Sequence, residues 1–196
     1  MKSPDFLYLD HNATTPLCAD ALAAMRPHLE EQWGNPSSIH ALGVRARDAV
    51  EASRERIAGV LGVRSSEIVF TSGGTESIHL AHHGAALAAR GRRRLISSQV
   101  EHSATVEVLD RLAGDGFDVE RLGVDAEGGL LVDRYHAALD DRVFLVSLIA
   151  ANNETGVRFD LDELGRAARD VGATFHTDAV QLGGKGFSRL GERPID

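Results

Sequence analysis

The chain has 196 residues, 43% of them hydrophobic and 26% charged, with a formal net charge of −8. That suffices for a domain with a sizeable core, and the acidic balance excludes a general nucleic-acid binder, which would carry a basic stripe. No apolar run approaches the roughly 20 residues of a membrane span, "MKSPDFLYLD" lacks the apolar core of a signal peptide, and the single Cys18 excludes an internal disulfide, so the expected setting is cytoplasmic.

Helical and strand signals alternate along the chain. "ADALAAMRPHLEEQ" (19–32) predicts a helix with a kink or break at Pro27. The turn-rich "WGNPSSIHALG" follows, then a helix over 44–61 with Ala46, Val50, Ile57 and Leu61 on one face. "EIVF" opens a predicted buried strand over 67–71. Behind it, "SGGTE" leads into a proline-free helix over 75–90, with Ser72 or Thr75 as its expected cap. "RLISS" (94–98) predicts a strand, "HSATVEVLDRLAGDG" (102–116) a helix, and "FDVERLGV" (117–124) a half-buried strand. "VDRYHAALD" is a short helix and "RVFLVSLIA" (142–150) a continuous apolar strand. "DLDELGRAARDVG" (160–172) is a helix and "ATFHTD" (173–178) a last strand. This order predicts an α/β fold with a mostly parallel sheet and helices on both faces.

Ligands of such sheets bind beyond the carboxyl ends of the strands. Chemistry-bearing residues recur there: "SGGTE", "QVEH" (99–102), "ANNETG" (151–156) and "DAVQ" (178–181). Gly73 and Gly74 let a ligand approach the backbone, and the helix start behind them offers N–H groups to an anion. His102 offers a flat ring, Asp178 a carboxylate, and Asn153 and Gln181 neutral hydrogen bonds. A phosphorylated pyridine needs that set: a phosphate cradle, a stacking partner and an acid for the ring nitrogen.

With "YLDHNATTP" (8–16), "GNPSSIHALG", "EIVFTSGGTES", "EHSA", "NNETG" and "HTDAVQ" in this order, the chain resembles the cysteine desulfurases of the class V aminotransferases. These are fold-type I enzymes dependent on pyridoxal 5'-phosphate. The resemblance implies the large domain of that fold, with an N-terminal arm over 1–15 and the N-terminal part of the cofactor domain over 16–196. It implies that Gly74 and Thr75 bind the phosphate, that His102 stacks on the ring, and that Asp178 pairs with the ring nitrogen. His102 and Asp178 are thereby the catalytic candidates. Gln181 is implied to hydrogen-bond the phenolic oxygen, and Asn153 to sit beside that oxygen and the substrate. His11, Asn12 and Ala13 match a family segment that folds back near the site. The family activity takes L-cysteine to L-alanine and passes the sulfur to an enzyme cysteine, with a sulfur-acceptor protein and a homodimer as partners.

The family's cofactor-carrying lysine lies in a Ser-x-His-Lys segment that matches nothing up to Asp196. Lys185, in "GGKGF", matches a non-catalytic turn position. The rival reading is therefore a non-catalytic module of the same fold, or another class V enzyme such as a selenocysteine lyase or an aminotransferase. Cys18 is expected as a small buried apolar side chain. The histidines of "HLAHH" (79–83) are expected on a helix surface, because zinc needs three or four converging ligands. A metal pair at His176 and Asp178 ranks below the cofactor reading, and the arginines of 90–94 are expected as a solvated helix end.

Overall fold

The computed structural model describes residues 7–185 and 189–196. Residues 1–6, with Lys2 and the start of the arm, and residues 186–188 lie outside them. The chain forms two compact units, Met1–Gly59 and Val60–Asp196.

In the first unit, α1 (Ala19–Glu30) runs on through Pro27, whose carbonyl accepts from the Glu31 and Gln32 N–H groups at 3.0 and 2.7 Å. This helix buries no residue, so Cys18 at its start is exposed and the expected burial of the thiol does not occur. The second helix, α2 (Ala41–Leu61), starts three residues ahead of its predicted position. Gly43 permits this: a Cβ there would lie 2.3 Å from the Ser38 carbonyl oxygen, so only a bare residue lets the loop fold against the helix. Ahead of α1, the Tyr8 hydroxyl donates to the Asp10 carbonyl at 2.7 Å and its ring meets His11 edge-on.

The second unit is an α/β layer structure. After α3 (Gly74–Ala88), the elements run β1 (Arg94–Ser98), α4 (Ser103–Gly114), β2 (Asp118–Leu122), α5 (Val132–Ala138), β3 (Val143–Ile149), α6 (Leu161–Asp170) and β4 (Thr174–Asp178). The strands form one sheet in the order β2-β1-β3-β4, every pairing parallel. Alternation along the strands separates two faces. Ile96, Val146 and Phe175 stand in register and join Tyr135, Leu161, Leu164 and Ala168 of α5 and α6 in one apolar layer. Leu95 and Leu145 point the other way and meet Leu109 and Leu112 of α4 with Ala85 and Ala89 at the end of α3. Helices thus cover both faces of the sheet, and β3 is buried along its whole length. Among the described residues no helix is long and apolar enough to cross a membrane.

Two local expectations are corrected. Residues 67–71 join no strand: a single 3-10 turn (Ser65–Glu67) is followed by irregular chain. Val69 and Phe70 are 65% and 47% exposed, so the burial that favours strand pairing of an apolar run is absent. The arginine run is a solvated helix end only in part: Arg90 and Arg93 are exposed, but Arg92 and Arg94 are not free in solvent. Arg92 donates to the Val143 and Gly172 carbonyls at 3.0 and 2.7 Å, and Arg94, with a side chain 17% exposed, reaches Asp118, Glu120 and Asp140.

Candidate functional site

The chain reverses its direction of travel across the sheet between β1 and β3, because β2 lies outside β1 while β3 and β4 follow on the other side. In open parallel sheets the crevice at such a reversal, at the carboxyl ends of the strands, is where ligands bind. The loop after β1 carries Gln99 to His102, and the loop after β3 carries Asn152 and Asn153. Asn152 ties the two together, donating from Nδ2 to the Val100 carbonyl at 2.9 Å. Its Oδ1 accepts from the Glu154 and Thr155 N–H groups, which sets the turn on which Asn153 stands half-buried.

Asp178 ends β4 and is 9% exposed. Its Oδ1 accepts the Val180 N–H at 3.0 Å, fixing the carboxylate by its own turn. Gln181 follows, half-buried, with Oε1 accepting from the Lys185 ammonium at 2.9 Å. Lys185 itself is exposed in a turn.

α3 starts beside this strand end. A Cβ on Gly74 would stand 3.2 Å from Val180 Cγ2, so the bare residue lets the helix start close on the chain leaving Asp178. The cap is Gly73, with no side-chain hydrogen bond, which replaces the expected Ser72 or Thr75 cap. The reason is that the neighbouring side chains bond elsewhere. Glu76 accepts the Ser72 N–H at 2.6 Å, and hydrogen bonding from the Ser72 side chain, with this backbone bond second, lowers the pKa of its carboxyl; the Thr71 hydroxyl meets Ser77 Oγ at 2.7 Å. The first intrahelical bond runs from Ser77 N–H to the Gly73 carbonyl, so the N–H groups of Gly74 and Thr75 lie ahead of it. Gly74 is half-buried and Thr75 exposed.

His102 is the N-cap of α4, exposed, its Nδ1 accepting the Ala104 N–H at 3.2 Å. An accepting Nδ1 in a neutral ring puts the proton on Nε2, at the outer end of the imidazole.

The residue before it went unremarked in the sequence. Glu101 turns inward, and its Oε1 accepts from the Ser98 hydroxyl at 2.5 Å and the Ile149 N–H at 3.0 Å. Its Oε2 is buried with no hydrogen-bond partner among the described residues. Burial raises this carboxyl to about 7, the two hydrogen bonds oppose that, and the charge of Asp178 adds to it. The one trace in the sequence is the Ser-x-x-Glu spacing of 98–101, which lets a strand-end hydroxyl meet the acid.

His82 corrects the surface reading of "HLAHH". It is fully buried, hydrogen-bonded to the Ile78 carbonyl and to Ser147 Oγ, while His79 and His83 stay on the outer part of the helix with rings 6.0 Å apart. A periodic signal existed, since Ile78, His82, Ala85 and Ala89 fall on one helical face.

A family model described as Aminotransferase class-V matches residues 7–190 of the chain. A cysteine desulfurase 2 of Trichormus variabilis is 46% identical over 190 residues, covering 97% of this chain and 48% of that protein. A solved structure of a NifS-like protein superposes with a TM-score of 0.92 at 36% identity, covering 95% of this chain and 52% of that one. A structure described as SspA in complex with cysteine gives 0.84 at 35% identity, covering 89% and 51%. The chain therefore spans about half the length of the relatives it matches.

Proposed function

The chain belongs to the class V aminotransferase family, and we propose that it forms the cofactor-holding wall of a pyridoxal-phosphate-dependent cysteine desulfurase. The observation that carries this reading is the approach of two chain segments at one strand end. Gly74, ahead of the first intrahelical bond of α3, lies against Val180, and Val180 holds the carboxylate of Asp178. A phosphate on the first and a ring nitrogen on the second are what a phosphorylated pyridine presents.

The residues fit that group. The Gly74 and Thr75 N–H groups take the phosphate, helped by the positive end of the α3 dipole. Asp178 has Oδ1 anchored, and its charge holds a proton on the ring nitrogen. His102 presents an exposed ring for stacking, with Nε2–H outward. Gln181, whose Oε1 accepts from Lys185, would donate from its amide to the phenolic oxygen, and Asn153 would sit beside that oxygen and the substrate. The cofactor supplies an electron sink for the substrate's Cα electrons, and an acid at the ring nitrogen deepens that sink. L-cysteine as substrate is supported by the relatives named cysteine desulfurase and by the solved relative described with cysteine. L-alanine and a persulfide sulfur handed to an acceptor protein then follow as products, in a homodimeric cytoplasmic enzyme that supplies iron–sulfur assembly or tRNA thiolation.

Asp178→Asn tests it. In the complete enzyme, the amide oxygen keeps the Val180 bond while the charge is lost, so the fold is expected to persist and turnover of cysteine to fall at least about 100-fold. Undiminished sulfide release from the variant would refute the role of Asp178.

A further inference from the structure

The polar face of the sheet holds a chain of hydrogen bonds outside the proposed cofactor contacts. His82 Nδ1 lies 2.8 Å from the Ile78 carbonyl oxygen, His82 Nε2 lies 2.9 Å from Ser147 Oγ, and Ser147 Oγ lies 2.9 Å from His176 Nδ1. The two rings meet edge to face with centroids 4.8 Å apart. His82 and Ser147 are 0% and 1% exposed, and His176 is partly buried.

One carbonyl fixes every proton in this chain. The Ile78 oxygen can only accept, so His82 carries its proton on Nδ1. Burial without a carboxylate among the hydrogen bonds described for either ring keeps the imidazoles neutral, which leaves His82 Nε2 an acceptor. Ser147 must then give its single hydroxyl proton to His82, so its oxygen receives a proton from His176 Nδ1. Both histidines are thereby Nδ1–H tautomers, and the bonds run in one direction from β4 through β3 to α3.

The elements joined are those that carry the proposed phosphate and ring-nitrogen contacts. His82 lies two turns along α3 from Gly74, and His176 shares a strand face with Asp178, two residues on. Ser147 is the register partner of His176 and stands two residues before Ile149, the partner of Asp178. We propose that His82, Ser147 and His176 are positioning residues: a tautomer-locked clamp that fixes the start of α3 against the end of β4. The clamp itself is independent of the cofactor; its purpose rests on the functional reading above.

The test uses the full chain labelled with [15N]histidine, together with Ser147→Ala and His176→Asn. In the wild type, the ring-nitrogen shifts are expected to show Nδ1–H and unprotonated Nε2 on both residues. Ser147→Ala is expected to mix the tautomers. It is also expected to raise amide exchange about tenfold at both ends of the clamp, at Ser77 in α3 and Val180 after β4, while far-UV dichroism stays unchanged. His176→Asn, whose side-chain amide can replace the Nδ1 donor, is expected to keep exchange at both sites near wild type. The Kd for pyridoxal phosphate is expected to weaken about tenfold in Ser147→Ala and little in His176→Asn. An Nε2–H tautomer on either ring, or exchange unchanged at one end, overturns the clamp. A Kd unmoved by Ser147→Ala overturns its purpose. A wild type that binds no pyridoxal phosphate refutes the cofactor reading instead, and the shifts and exchange rates still decide the clamp.

Discussion

The backbone N–H of Ile149 donates to Glu101 Oε1 at 3.0 Å, and Ile149 is the register partner of Asp178. A buried acid thus reaches the strand end one position from the carboxylate assigned to a ring nitrogen. Burial pushes the Glu101 carboxyl up to about 7, against the hydrogen bonds from Ser98 and Ile149, and the charge of Asp178 adds to the rise.

The Glu101 shift has a sign that stability measurements can read. A carboxyl raised from its ordinary value of 4.5 to about 7 is a native group that holds its proton longer than the unfolded chain does. Its contribution is complete below pH 4.5 and is lost as pH rises toward about 7, by about 3 kcal/mol. Glu101→Gln is expected to flatten that part of the profile and to raise the urea midpoint at pH 8. Urea titrations of both proteins between pH 5 and 8 check it, and parallel profiles would show that Glu101 does not carry the loss.

The histidine pair works in the opposite sense. Burial, and the neighbouring His82, lower His176 from 6.5 to about 3, and burial lowers His82 as well. The native state therefore resists protons that the unfolded chain accepts, so stability is complete above pH 6.5 and is lost as pH falls toward 3. At pH 5 the loss from His176 is about 2 kcal/mol. His176→Asn is expected to narrow the gap between thermal midpoints at pH 7 and pH 5, read by calorimetry; a gap equal to that of the wild type counts against it.

Gly74 offers a steric test of the helix start. With Val180 Cγ2 only 3.2 Å from the place of a Cβ, Gly74→Ala asks a small shift of one methyl group, whereas Gly74→Val fills the space between α3 and the β4 turn. The alanine variant is expected to lose about 1 kcal/mol of stability. The valine variant is expected to bind pyridoxal phosphate at least about tenfold more weakly, with binding of phosphate-free pyridoxal little changed. Fluorescence titration with the two ligands separates a lost phosphate contact from a general loss of the pocket.

At the opposite end of the sheet, Arg94 gathers three acids from two segments: Asp118 and Glu120 of β2, and Asp140 at 2.6 Å ahead of β3. Removing the guanidinium leaves these carboxylates facing one another beside two strand starts. Arg94→Leu is expected to lower the urea midpoint more than Arg94→Lys, with the slope of the transition unchanged. Equal midpoints in the two variants would mean that the arginine acts through its stem alone.

Much of this molecule was legible in the sequence, and for identifiable reasons. The strands of the sheet are short runs with β-branched or apolar residues, each set between helical stretches, so the alternation itself implies a parallel sheet, and the motifs "EHSA", "NNETG" and "HTDAVQ" fall at or just beyond the carboxyl ends of β1, β3 and β4. The missed features depend on what stands opposite a residue. "EIVF" has the composition of a strand, yet Val69 and Phe70 remain exposed, and burial rather than propensity decides pairing. His82 looked like surface because two neighbouring histidines are polar, but helical phase places it with Ile78, Ala85 and Ala89. Arg92 and Arg94 read as a solvated run, and only the fold brings carbonyls and acids to them. Glu101 leaves only the Ser-x-x-Glu spacing as a local sign, since its other partner, the Ile149 N–H, lies on another strand.

The two faces of the sheet differ in chemistry. Toward α5 and α6 the strands meet one large apolar layer, whereas toward α3 and α4 the polar row of Ser147 and His176 accompanies two smaller clusters, one of them only Ile78, Ala104 and Val108. Local opening is easiest where apolar contacts are fewest. The α3 and α4 side is therefore the first to breathe, while β1, β3 and β4 stay held from behind. A ligand arriving at the strand ends meets one wall able to adjust and one that does not yield, and its binding registers as slowed exchange concentrated in α3 and α4.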